Sequence, residues 1–157
     1  MLLSQPFTYF KQQILLDESN QLSVATIPHS EGYYTVGVFG FTHPIIYFAK
    51  IDAEGNVLTY HILDDSPNNT TLVTGRQFIK TDDGNFVLTY QQRVPLEESN
   101  SDIILIKFTQ DGGILWKEQF GFERTDGPGE VIQTEGGGFL IVGFAWGEGY
   151  QETYVVK

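Results

Sequence analysis

Apolar residues arrive in short bursts along this chain. Runs rich in Val, Ile, Phe, Tyr and Thr are separated by clusters of Gly, Asp, Asn and Pro. No segment longer than ten residues carries a helical period, so the bursts predict β-strands. Three of them share one pattern: SEGYYTVG (30–37), DGNFVLTY (83–90) and GGGFLIVG (136–143). Their leading aromatics, Tyr33, Phe86 and Phe139, recur at intervals of 53 residues. A period near 50 marks a repeated supersecondary unit.

The unit extends beyond the aromatic. IIYFAKIDAEGNVL (45–58) is matched by DIILIKFTQDGGIL (102–115), so that Lys50, Gly55 and Leu58 correspond to Lys107, Gly112 and Leu115. In the third copy ETYVVK (152–157) ends at the equivalent lysine, Lys157. Aromatic and lysine are 17, 21 and 18 residues apart in the three copies. That variation belongs to a loop, where added length costs little.

Each unit reads as four strands. The first is expected at 21–28, 73–81 and 128–134, and the second at 32–39, 85–91 and 138–145. The third is expected at 45–51, 103–109 and 151–157, and the fourth at 57–63 and 113–120. The turns Glu54-Gly55-Asn56, Asp83-Gly84-Asn85 and Asp111-Gly112-Gly113 supply the positive φ of tight hairpins. The second strands are apolar on successive residues, as in Phe86-Val87-Leu88 and Phe139-Leu140-Ile141-Val142, which predicts burial on both faces. The fourth strands are more polar (Lys117, Glu118, Gln119) and are expected at an exposed edge. YFKQQI (9–14) matches LWKEQF (115–120) position by position, so residues 7–14 are expected to be a displaced fourth strand. The chain then forms one all-β domain over 1–157, with units at about 15–63, 64–120 and 121–157. Its twelve strands equal three four-stranded antiparallel blades.

The glycine–aromatic turn, the lysine-ended hydrophobic strand, and the acidic-glycine turn leading to ILWKEQFG (114–121) resemble a bacterial β-propeller repeat. The likeness is to secreted or cell-surface propellers of the Bacteroidota type, and it covers roughly residues 7–157. The third copy matches best. The first departs most, with Thr59 where Trp116 stands. The resemblance implies a β-propeller architecture and an exported or cell-surface location, and it carries no catalytic motif. Closed propellers use four to eight blades. Three blades are therefore expected to be part of a longer propeller, or half of a six-bladed ring closed by a homodimer.

The chain has 157 residues, enough for one domain with a core. Its net charge of −11 would repel a phosphate backbone or an anionic bilayer, so neither nucleic acid nor membrane is an expected partner. The absence of cysteine excludes disulfides and thiolate chemistry. The opening MLLSQPFTYFKQQ does not read as a signal peptide, because Gln5 and Pro6 interrupt a short apolar run with no basic region before it. No stretch is long enough to span a bilayer.

Candidate chemistry is sparse. His29, His43 and His61 occupy unrelated repeat positions without metal-ligand spacing. Asp52 to Asn56 and Asp82 to Asn85 suggest calcium, but they lack the spaced carboxylates of a calcium loop and fit turn chemistry. A carboxylate pair for glycoside hydrolysis would come from Asp64, Asp65, Asp102, Asp126 and Glu130, placed in loops. Solvated loop acids are the simpler reading. No catalytic, cofactor-binding or metal-ligating residue is assigned, and no cofactor is expected.

The most suggestive segment runs from Phe144 to Tyr150, read as a loop between the second and third strands of the last unit. Phe144, Trp146 and Tyr150 are the expected contacts for a protein partner or a glycan. Trp146 capping a neighbouring blade is the structural alternative. The expected function is a non-enzymatic binding or scaffold module engaged in protein–protein interaction or self-association. A carbohydrate-binding or polysaccharide-processing propeller is the alternative.

Overall fold

The computed structural model describes residues 21–40, 44–65, 70–71, 77–94, 100–121, 125–146 and 151–157. Twelve strands occur among them. They are β1 (Gln21–His29), β2 (Gly32–Phe39), β3 (Ile45–Asp52) and β4 (Val57–Asp64), then β5 (Thr70–Thr71), β6 (Phe78–Lys80), β7 (Phe86–Arg93) and β8 (Ser101–Phe108), then β9 (Ile114–Phe120), β10 (Asp126–Gln133), β11 (Phe139–Trp146) and β12 (Gln151–Val156).

They form three antiparallel sheets, taken in chain order. Sheet 1 is β1-β2-β3-β4. Sheet 2 has the same four positions, with β5 and β6 both pairing along β7 before β8 and β9 follow. Sheet 3 is β10-β11-β12. No sheet closes on itself among the described residues.

The strand expectations hold with two corrections. Of the first strand expected at 73–81, the described part is Phe78 to Lys80, which pairs with Leu88 to Phe86; residues 72–76 lie outside the described residues, and before them Thr70 and Thr71 pair with Gln92 and Gln91. The second correction is to the last unit, where the second strand runs through Trp146 rather than giving way to a loop at Phe144. The displaced fourth strand at 7–14 lies outside the described residues.

Four hairpin turns share one geometry. In each, the N–H of the first residue bonds the carbonyl four positions on, and the N–H of the fourth residue bonds back to the first carbonyl. The first residues are Asp52, Thr81, Thr109 and Thr134. The fourth is always glycine at positive φ, Gly55, Gly84, Gly112 and Gly137, between 75° and 91°. That conformation costs other residues energy because their Cβ meets the backbone.

The sheets stack face on face with sheet 2 in the middle. Between sheets 1 and 2, Tyr34, Val36 and Phe48 pack against Phe78, Phe86, Leu88, Tyr90, Ile106 and Phe108. Aromatic rings dominate this seam: Phe48 sits 5.1 Å from Phe108 edge-on and 5.2 Å from Phe86, within the favoured range. Burying each such ring stabilises the fold by about 1.5–3 kcal/mol. The opposite face of sheet 2 supplies Val87, Ile103 and Leu105 to a second seam with Val131 and Ile141 of sheet 3. A third small cluster, Phe39, Tyr47 and Ala49, lies on the far face of sheet 1.

Burial on both faces is therefore correct for β2 and β7 and incorrect for β11. In β11 the inward Ile141 is buried and the alternating Val142 is exposed. The run Phe139 to Val142 is as apolar as its counterparts, but no described sheet lies beyond it. The fourth strands are exposed edges as expected. They are less polar than expected, since Leu58, Tyr60, Ile62, Ile114 and Leu115 are exposed there beside Lys117 and Glu118.

Candidate functional site

Among the described residues, the outer face of sheet 3 leaves a group of apolar side chains open. Side chains alternate across a strand, so Leu140, Val142, Phe144 and Trp146 share the side of β11 opposite Ile141. Cross-strand pairing places Ile132 beside Leu140 and Val155 beside Val142. Ile132 is 46% exposed, Val142 39%, Trp146 48% and Val155 57%. Contiguous exposure of this kind marks an interaction surface more often than scattered single residues do.

Local sequence builds the far end of the face. Phe144 pairs with Gly127 of β10, and its ring lies over that glycine, where an added Cβ would meet the ring at 2.4 Å. Only glycine at 127 lets the ring lie flat against β10. Trp146 is held one step further on, where its backbone N–H donates to the Thr125 carbonyl at 3.0 Å. Two of the three residues expected to contact a partner thus stand on one strand face. Tyr150 lies outside the described residues. Ile132, Val142 and Val155 were not singled out from the sequence. Their signal is that the last sheet of a stack keeps one face free.

A polar cluster lies in the seam between sheets 1 and 2. The Asp64 carboxylate, at the end of β4, accepts from the Tyr90 hydroxyl at 2.5 Å, the Lys117 ammonium at 3.0 Å and the Gln92 amide at 3.2 Å. Lys117 also stands 5.7 Å from the centre of the Tyr90 ring. Burial, followed by the hydrogen bond to Asp64 and its charge, pushes the Tyr90 hydroxyl far above its ordinary range. All four side chains satisfy one another, so the cluster ties sheet 1 to sheet 2.

The acidic candidates do not converge. Asp64 and Asp126 lie on opposite faces of sheet 2, since Tyr90 reaches Asp64 while its neighbour Gln91 bonds the Asp126 carbonyl at 2.8 Å. Asp102 bonds the Gln119 amide at 2.5 Å. The loop placement is corrected for Asp64, Asp102, Asp126 and Glu130, which are all strand residues; Asp65 alone follows a strand.

The acidic turns are also internally occupied. The Asp52 carboxylate accepts from the Glu54 and Asn56 amides and the Asn56 side chain, and these bonds lower its pKa. Asp83 is ion-paired with Lys107 at 2.6 Å, which, with Thr81, holds it well below the usual carboxylate range. His29 stacks on Tyr34, and His61 packs against Gly112 of the next sheet. His43 lies outside the described residues. Among the described residues no three His, Cys, Asp or Glu side chains are grouped to hold a metal.

The chain matches no known family model and no curated protein.

Proposed function

We propose that the chain is a non-enzymatic interaction module of the β-propeller type, exported or displayed at a bacterial cell surface, that holds a protein partner against the outer face of sheet 3. The observation that carries this reading is the exposed patch of Ile132, Val142, Trp146 and Val155. Its row along β11 is apolar and aromatic, with the Glu130 carboxylate beside Val142 as the charged neighbour on β10. The propeller reading is supported by the stacking of sheets in chain order. It is also supported by contacts between successive first strands, β1 with β6 and β6 with β10, as expected of sheets radiating from one axis.

A photo-cross-linking phenylalanine in place of Val142, in the producing cell, is expected to form a covalent protein adduct. The same group in place of Asp111, on an exposed turn, is expected to form none. Absence of an adduct at 142 sinks the reading.

The half-exposed Trp146 favours one second reading, in which its indole stacks on a sugar ring. Glycan-array binding that disappears with Trp146→Ala supports it, and a silent array removes it.

A further inference from the structure

We propose that sheet 3 is a hinged unit, closed on sheet 2 by a seam weak enough to open while sheets 1 and 2 stay packed together. The two seams of the molecule differ in kind. Six aromatic rings are buried between sheets 1 and 2: Tyr34, Phe48, Phe78, Phe86, Tyr90 and Phe108. Asp64 adds bonds across that seam from Tyr90, Gln92 and Lys117. The buried members of the second seam are the aliphatic Val87, Ile103, Leu105, Val131 and Ile141, and the rings of Trp116 and Phe139 stand at its border.

Repeat equivalence locates the weakness. Gln77 stands opposite Thr89, whose N–H donates to the Gln77 carbonyl at 2.9 Å. Gln91 follows two places along β7, so the three side chains share the face toward sheet 3. The corresponding residues of sheet 1 are Ala25, Val36 and Val38, all packed into the apolar seam. Sheet 2 thus carries polar side chains where sheet 1 carries apolar ones. The Gln77 and Gln91 amides tether β10 by donating to the Pro128 and Asp126 carbonyls at 2.9 and 2.8 Å. Gln77 and Thr89 are 1% and 0% exposed, yet among the described residues Gln77 Oε1 and Thr89 Oγ1 have no hydrogen-bond partner. A buried polar atom left unbonded in the closed seam regains a partner from water once the seam opens, so each weakens closure. Opening carries the exposed patch of β11 with it and uncovers Val87, Ile103 and Leu105. The inference goes beyond the interaction reading, which the cross-link at 142 reports whether or not the seam opens.

The chain has no cysteine, so a single thiol introduced into each seam reports its opening. Val87→Cys, facing sheet 3, and Val36→Cys, facing sheet 2, both replace fully buried valines. In native buffer a thiol reagent is expected to label Val87→Cys faster than Val36→Cys, by roughly 10-fold or more. Valine fits the repeat position of Thr89, as Val36 shows in sheet 1. Adding Thr89→Val is therefore expected to slow labelling at 87 by roughly 5-fold or more and to leave labelling at 36 unchanged. Leu105→Cys and Ile106→Cys, neighbours on β8 facing the two seams, repeat the comparison where a valine variant labels like an unfolded chain. Equal labelling of the two seams overturns the proposal. So does faster or unchanged labelling at 87 with Thr89→Val, because the hydroxyl then does not favour the open seam.

Discussion

The Asp64 carboxylate gathers three donors from sheet 2, Tyr90, Gln92 and Lys117. Removing the Tyr90 hydroxyl takes one of these donors from a mostly buried acceptor. Tyr90→Phe is therefore expected to destabilise the fold by about 1–3 kcal/mol at neutral pH, read by urea unfolding. The pH dependence has a definite sign. The Tyr90 hydroxyl is raised above its ordinary value, so the folded state holds this proton after the unfolded chain has released its own. The contribution is complete below about pH 10, the unfolded value for tyrosine, and is lost as pH rises beyond it. The stability gap between parent and Tyr90→Phe is thus expected to narrow above pH 10; a constant gap up to pH 12 would contradict the assignment. Asp64 was recognisable in the sequence as an acid among many. That it meets Tyr90 was not, because the two are joined only when the end of β4 is laid against β7.

The turns are where the sequence speaks most directly for an element. Acidic or Thr residues followed by Gly at the fourth place recur at 52, 81, 109 and 134, and all four adopt the same bonded turn. The GGG stretch separates the contributions cleanly. Gly136 and Gly137 both have open space around a would-be Cβ, but only Gly137 is at positive φ. Gly137→Ala is expected to cost about 1–2 kcal/mol from backbone strain alone, and Gly136→Ala to stay within about 0.5 kcal/mol. Equal melting shifts for the two would show that backbone conformation is not what the glycine provides. That Thr70 and Thr71 also pair along β7 was not legible in the same way. Strand propensity depends on pairing partners, and those are set by β7.

Across the molecule, chemically similar residues at one repeat position have different costs. Phe86 is fully buried, Phe139 lies at the border of its seam, and Tyr33 is exposed on an outer face. Phe86→Ala is expected to cost about 3–5 kcal/mol, Phe139→Ala an intermediate amount and Tyr33→Ala about 1 kcal/mol or less. Similar losses at all three, by thermal or urea unfolding, would mean that the sheets are not stacked in chain order with sheet 2 at the centre. The candidate site belongs to this scale as well. Phe144 and Trp146 were visible in the sequence as aromatics near glycine. Ile132, Val142 and Val155 were not, since each looks like its buried counterparts.

Local chemistry therefore settled which segments are strands, where the hairpins turn and how the unit repeats. Alternation, β-branching and positive-φ glycines act over a few residues and are written at each position. The tertiary structure alone decided which faces are covered. Val36, Thr89 and Val142 stand at one repeat position, yet only Val142 faces outward, because burial of a sheet face is a property of the neighbouring sheet and not of the strand that bears it.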